Sequence, residues 1–231
     1  MRFTCSVLSE MEKQTIHADS LEILTDIGAK YLSSKALGIL ATNGATVDLE
    51  TKIARIPEEM VARALATTPK SFVLGARNPE HDYAMPSSYT GYILDGAATF
   101  ARDFKSGKRR YAVLDDLKKS FRIFEELELA ALVWPNVAVN NFPSNSMGIR
   151  TFLAAFEHTG MHVQHELLHP AEVPYLVEAL TAILGSEEKI KERKICSGIY
   201  CTIPPLVHDD AMADAYLEAI QFHFPITVLP M

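Results

Sequence analysis

The chain has 231 residues, 48% of them hydrophobic and 22% charged, with a formal net charge of −7. This is ordinary globular composition, long enough for one large domain or two small ones, and it excludes disorder as the organising state. The acidic balance argues against a broad nucleic-acid surface, because a polyanion needs a basic face.

Three cysteines, Cys5, Cys196 and Cys201, have neither C-x-x-C spacing nor an even count, which suits a reducing compartment. Charged and polar residues interrupt Met1 to Gln14, and no apolar stretch approaches membrane-spanning length, so a cytoplasmic location is expected.

The first 112 residues read as an α+β extension. Ile16, Leu21, Ile23, Leu24 and Ile27 predict an amphipathic helix that Gly28 ends, and Ser33 to Thr42 predicts a second, closed by the turn Asn43-Gly44. Val47 and Ile53 to Ile56 read as short strands. Pro57, with Glu58 and Glu59 behind it, opens a helix to about Thr67. Phe72 to Leu74 is a further strand. Between Tyr89 and Tyr111, turn chemistry at Asp95-Gly96 and Ser106-Gly107 predicts hairpins, the second carrying the basic run Lys105 to Arg110.

Residues 113–231 change rhythm. Asp115 and Asp116 open a helix through about Leu129 that packs Leu117, Phe121, Phe124 and Leu127 on one face. Apolar runs then follow at Ala131 to Val139, Met161 to Gln164, Ile195 to Cys201 and Ile226 to Leu229. Helical segments separate them, from about Asn145 to His158, Ala171 to Leu184 and Asp209 to His223. Alternation of this kind predicts a parallel β/α sheet, whose ligand chemistry gathers at the carboxyl ends of the strands.

Strand parity nominates the residues at those ends. With Val133, Val137 and Val139 on one face, Trp134 and Asn136 take the other. With Met161 and Val163 turned to the helices, His162, Gln164 and Glu166 face inward, Glu166 nearest the mouth. If Ile195 and Ile199 pack on helices, Tyr200 and Thr202 face in. Aromatic rings, a carboxylate and amide or hydroxyl groups suit a methylated ammonium, which attracts π faces and negative charge but has no proton to donate. The plainer readings are that Trp134 is core and that Glu166 pairs with a lysine.

His158, His162, His165 and His169 crowd one region, yet His162 and His165 fall on opposite strand faces and match no helical zinc spacing, so no metal is expected. A glycine-rich phosphate loop and a G-x-S-x-G elbow are both missing from the sequence.

Ile93-Leu94-Asp95, the run Asp103-Phe104-Lys105-Ser106-Gly107-Lys108-Arg109-Arg110 and Asp115-Asp116-Leu117 together resemble the trimethylamine methyltransferase family. So do Val133-Trp134-Pro135, His162-Val163-Gln164, Pro204-Pro205-Leu206 and Pro225-Ile226 through Met231, in the same order. Ser20 to Gly28 and Arg55-Ile56-Pro57-Glu58 resemble the family's N-terminal extension.

The resemblance implies a (β/α)8 TIM barrel, present here as an incomplete one of about the first four β/α units, residues 113–231, behind the extension of residues 1–112. It implies transfer of a methyl group from a tertiary or quaternary methylamine, such as trimethylamine or a glycine-betaine-like donor, to the Co(I) of a corrinoid protein. Methanogenesis or related one-carbon metabolism would use such a step. No cofactor is then bound directly, and the cobalamin-type corrinoid arrives on the partner. An unclosed parallel sheet leaves an apolar edge, so the chain is expected to be inactive alone and to associate with a second copy or a second polypeptide. The alternative is a non-catalytic module that binds methylated amines or docks the corrinoid protein.

Overall fold

The computed structural model describes residues 6–94, 96–143 and 146–230. In chain order, the first elements are α1 (Glu10–Glu22), a π-helical turn (Ile23–Ile27), β1 (Ala29–Tyr31), α2 (Ser34–Thr42), β2 (Thr46–Asp48), β3 (Ile53–Arg55) and α3 (Glu58–Thr67). Next come β4 (Phe72–Leu74), β5 (Tyr83–Met85), β6 (Tyr92–Leu94), β7 (Phe100–Arg102), β8 (Arg109–Tyr111), α4 (Leu114–Glu125) and β9 (Ala130–Val133). Then follow α5 (Met147–His158), β10 (His162–His165), α6 (Glu172–Leu184), α7 (Glu187–Arg193), β11 (Cys196–Cys201), β12 (Val207–His208), α8 (Asp210–Ala219) and β13 (Ile226–Leu229).

Contacts divide the described residues into two units, 6–68 with 202–210, and 69–201 with 211–230. Residues 69–112, read as part of the extension, group here with the second unit, and residues 202–210 group with the first.

In the first unit the strands lie in the order β12-β1-β3-β2. β12 pairs parallel with β1, while β1–β3 and β2–β3 are antiparallel. Ser9 starts α1 with a capping box, its hydroxyl accepting from the Glu12 N–H at 3.3 Å while the Glu12 carboxylate accepts from the Ser9 N–H at 2.7 Å. Gly28 ends the helical stretch at φ +80°, as expected of glycine. The expected apolar stripe is not buried, however. Ile16 and Ile27 are 53% and 59% exposed; α1 buries none of its residues, and the π turn from Ile23 to Ile27 departs from the 3.6-residue spacing.

The second unit holds a five-stranded sheet in the order β13-β11-β10-β9-β6, parallel at every pairing. Helices cover one face. Leu117, Phe121 and Phe124 of α4, Phe152 and Phe156 of α5, Leu176 and Leu180 of α6, and Tyr216 of α8 form one core with Val133, Val163 and Cys196 of the strands. Sequential parallel strands joined by helices on a single face are compatible with an incomplete barrel.

Several elements differ from their sequence reading. Tyr92–Leu94 is a strand of the parallel sheet rather than part of a hairpin, so the sheet begins inside the segment read as extension. β9 stops at Val133, short of Val139, because Pro135 has no N–H for a ladder. α4 ends at Glu125, which leaves Leu127 exposed. The helix α7 had no counterpart in the periodicity. The hairpin at Ser106-Gly107 is formed by β7 and β8. Asp95 of the expected turn and Asn145 of the expected helix start lie outside the described residues.

Candidate functional site

Residues in register across parallel strands share a face, so the pairing itself sorts the side chains. Val163 pairs with Cys196, and both lie in the helix-covered core. The alternate residues therefore face away from the helices: Leu132 beside His162, Gln164 beside Ser197, and Ile199 beside Thr227.

On this open face the polar groups form one network. His162 is fully buried, with Nδ1 2.8 Å from the Gly75 carbonyl oxygen and Nε2 2.8 Å from the Ser197 hydroxyl. A carbonyl only accepts, so Nδ1 carries the proton and Nε2 accepts from Ser197. The Gln164 amide donates to Ser197 Oγ at 3.1 Å and to Thr227 Oγ1 at 2.8 Å. Burial holds the His162 pKa down to about 4, against the opposing pull of the Gly75 and Lys194 carbonyls and the Asp82 charge. The ring is thus neutral at physiological pH and serves as a fixed floor.

A second cluster sits at the carboxyl ends of the strands. Glu166 directly follows β10, with Oε2 2.9 Å from His165 Nδ1. Burial raises the Glu166 carboxyl, but His165 and, more weakly, the Trp134 indole outweigh it, and its pKa lies below the usual value. The His165 contact is close rather than well aligned, since His165 Nδ1 and Trp134 Nε1 are both buried without a properly directed acceptor. Trp134 lies against Gly96, where a Cβ would run into the indole ring. Cys201 is also near: burial and then the Glu166 charge push its thiol up, the opposite of an activated nucleophile.

Trp134, Gln164 and Glu166 are thus gathered on or beside the carboxyl half of the open face. The other nominated residues lie elsewhere. Asn136 accepts from Ser120 of α4 at 2.7 Å and is tied to that helix. Tyr200 is turned to the helices, contrary to its expected inward face, and meets Tyr216 of α8 edge-on at 5.4 Å between centroids. Gly198, on the same side, leaves the space that Tyr216 fills. Thr202 follows β11 and is grouped with residues 202–210 in the first unit.

Ser197, Thr227 and His165 were missed. Ile199, used to set the parity of β11, is buried on the open face instead of under the helices; Gly198 opposite Tyr216 was the better marker. His165 lies opposite His162, its ring 5.1 Å from Phe152 of α5, so the two histidines do not converge. Among the described residues, no three His, Cys, Asp or Glu side chains gather to hold a metal.

Comparison with known proteins adds to this geometry. The chain matches the trimethylamine methyltransferase family over residues 2–231. It is 26% identical to a trimethylamine methyltransferase of Desulfitobacterium hafniense, a match that covers 99% of this chain and 46% of that protein. It is 25% identical to a trimethylamine methyltransferase of Methanosarcina mazei, covering 98% and 47%. It is also 23% identical to a glycine betaine methyltransferase of Desulfitobacterium hafniense, covering 94% and 45%. The chain therefore spans about half the length of the curated relatives it matches.

Proposed function

This chain belongs to the trimethylamine methyltransferase family, and on that footing we propose that it takes part in methyl transfer from a tertiary or quaternary methylamine to the Co(I) of a corrinoid on a separate protein. The match along residues 2–231 is the observation that carries this reading. Relatives named for trimethylamine and for glycine betaine bound the donor class.

The chemistry divides between partners. The corrinoid of the separate protein would supply the nucleophile that takes the methyl, and the amine nitrogen would keep the electron pair of the broken C–N bond. A quaternary ammonium already holds the charge that makes its nitrogen a good leaving group. For a quaternary donor the protein needs only to hold the methyl in line with its acceptor, whereas a tertiary amine must carry a proton on nitrogen to leave. Glu166 fits that task, since a carboxylate kept ionised below its usual range attracts the cation without a proton transfer. Trp134 offers a ring beside it, a surface on which methylated ammonium is attracted electrostatically. The floor of His162, Gln164 and Ser197 is neutral and internally bonded, and it competes for neither role.

Among the described residues the parallel sheet has five strands, fewer than the eight of a closed (β/α)8 barrel. We accordingly expect turnover only when the remaining strands are supplied. Calorimetry with trimethylamine and glycine betaine, run beside an assay of methyl transfer to free cob(I)alamin, tests both parts. Binding of either amine without turnover by the chain alone is expected. Absence of binding would sink the donor assignment, and robust turnover by the chain alone would overturn the need for completion.

A further inference from the structure

The hairpin of β7 and β8 stands beside the carboxyl end of β9. Its lead-in is fixed there by Ala97 N–H donating to the Pro135 carbonyl at 2.9 Å and Ala98 N–H donating to that of Asn136 at 2.9 Å. Its exit strand is fixed by Asn140 N–H, which donates to the Ala112 carbonyl at 3.2 Å. These are the residues that follow Trp134, so the hairpin rises from the rim of the candidate site.

Its charge is opposite to that of the chain, which is −7 overall. Residues 100–111 contain Arg102, Lys105, Lys108, Arg109 and Arg110 against the single acid Asp103. Nearby carboxylates are already engaged. Asp103 accepts from the N–H and hydroxyl of Ser106, both at 2.7 Å, and so closes the turn. Asp116 binds both Arg110 nitrogens at 2.6 and 2.7 Å, and Asp115 pairs with Lys119 at 2.6 Å.

Among the described residues, Arg102, Lys105, Lys108 and Arg109 have no carboxylate within ion-pair distance. Arg109 instead lies over the Phe100 ring, 4.4 Å from its centroid, and that ring contacts Tyr111 at 5.0 Å. Phe104, at the turn beside Lys105, is 100% exposed.

Nothing within the fold requires a fully exposed phenyl ring amid unpaired cations. An aromatic anchor ringed by charge is what a protein interface uses to combine steering with a buried contact. A nucleic acid would instead need a basic face broader than this single hairpin to track successive phosphates.

We propose that this hairpin is the docking surface for an acidic protein, the one that carries the methyl acceptor. The inference rests on the reaction proposed above and adds to it the place where donor and acceptor proteins meet. Phe104 seats in the partner, and Lys105, Lys108 and Arg109 face its carboxylates. The acceptor is thereby held over the strand ends rather than under them.

The test is calorimetric titration of the chain with the purified corrinoid protein, at about 50 mM and about 300 mM salt. Lys105→Glu/Lys108→Glu is expected to weaken binding by about tenfold or more, and Phe104→Ala by several-fold. Wild-type affinity should fall with salt, while affinity for glycine betaine is unchanged in every variant. Equal binding by wild type and the charge-reversed variant, or no binding by wild type, would overturn the proposal. So would hairpin-dependent binding of an RNA duplex or of phosphatidylserine vesicles in place of the protein. Loss of amine binding with salt-sensitive docking intact would instead count against the donor assignment alone.

Discussion

His162 Nδ1 lies 2.8 Å from the carbonyl oxygen of Gly75, a contact that spans 87 positions of sequence. It joins the segment after β4 to the floor of the parallel sheet, and it does so with a ring that must stay neutral.

That neutrality makes stability depend on pH with a definite sign. The folded ring titrates at about 4 and the unfolded one at the ordinary 6.5, so between these values the unfolded chain binds more protons. Stability should therefore fall as pH drops from 6.5 toward 4, by about 3 kcal/mol in all from this group, and then level off. Urea midpoints across that window should show a shallower slope in His162→Gln, even though the variant starts lower at pH 7. An unchanged slope would remove His162 from the account.

Arg193 and Asp82 form a second tie within the same unit. The guanidinium donates to both Asp82 oxygens at 2.9 and 2.8 Å and to the Ala76 carbonyl at 2.7 Å. Lysine cannot reproduce that fork. Arg193→Lys is expected to cost about 1–2 kcal/mol in urea denaturation. Burial raises the Asp82 carboxyl, but Arg193 and the Ala76 N–H overcome it, so this contribution is present above the usual carboxylate pKa and is lost as pH falls through the lowered one.

Gly198 and Tyr216 meet where β11 passes under α8. The Tyr216 hydroxyl donates to the Ile199 carbonyl at 2.7 Å and accepts from the Leu167 N–H at 3.3 Å, bridging the ends of two strands. A methyl group at position 198 collides with the Tyr216 ring. Gly198→Ala should destabilise by about 2–3 kcal/mol through overpacking, and Tyr216→Phe by about 1–2 kcal/mol through the lost bridge. Thermal melts of the two variants, each larger in effect than an exposed control such as Tyr175→Phe, would check both.

Glu166 provides the test closest to chemistry. Glu166→Gln keeps shape and removes charge, so the dissociation constant for glycine betaine should rise about tenfold or more while the urea midpoint changes little. In wild type, affinity should persist across the neutral range and decline only as pH falls through the lowered carboxylate pKa. Equal affinity in variant and wild type would place the cation elsewhere.

Much of the architecture was legible because period and punctuation agree. The run Ile226 to Leu229 became β13 with the same limits, and Asn43-Gly44 closed α2 where expected. Faces were legible on β10, where Val163 sits between polar neighbours, and not on β11. There Ile199 has the hydrophobicity of a helix-facing residue but lies opposite the helices, and a glycine takes the tight place under Tyr216. Tyr92–Leu94 was missed because its three residues are too few to show a period, and only the pairing with β9 identifies it. Asn136 could not be placed from parity once Pro135 had ended the strand.

β12 adds itself to β1 through the pairs Lys30–Val207 and Tyr31–His208, so the N-terminal sheet takes its outer strand from a segment remote in sequence. During synthesis on the ribosome that edge stays open until Val207 and His208 have been made, exposing unsatisfied backbone to chaperones and to neighbouring nascent chains. Such a long-range closure raises contact order, so the N-terminal sheet cannot complete itself from local sequence alone.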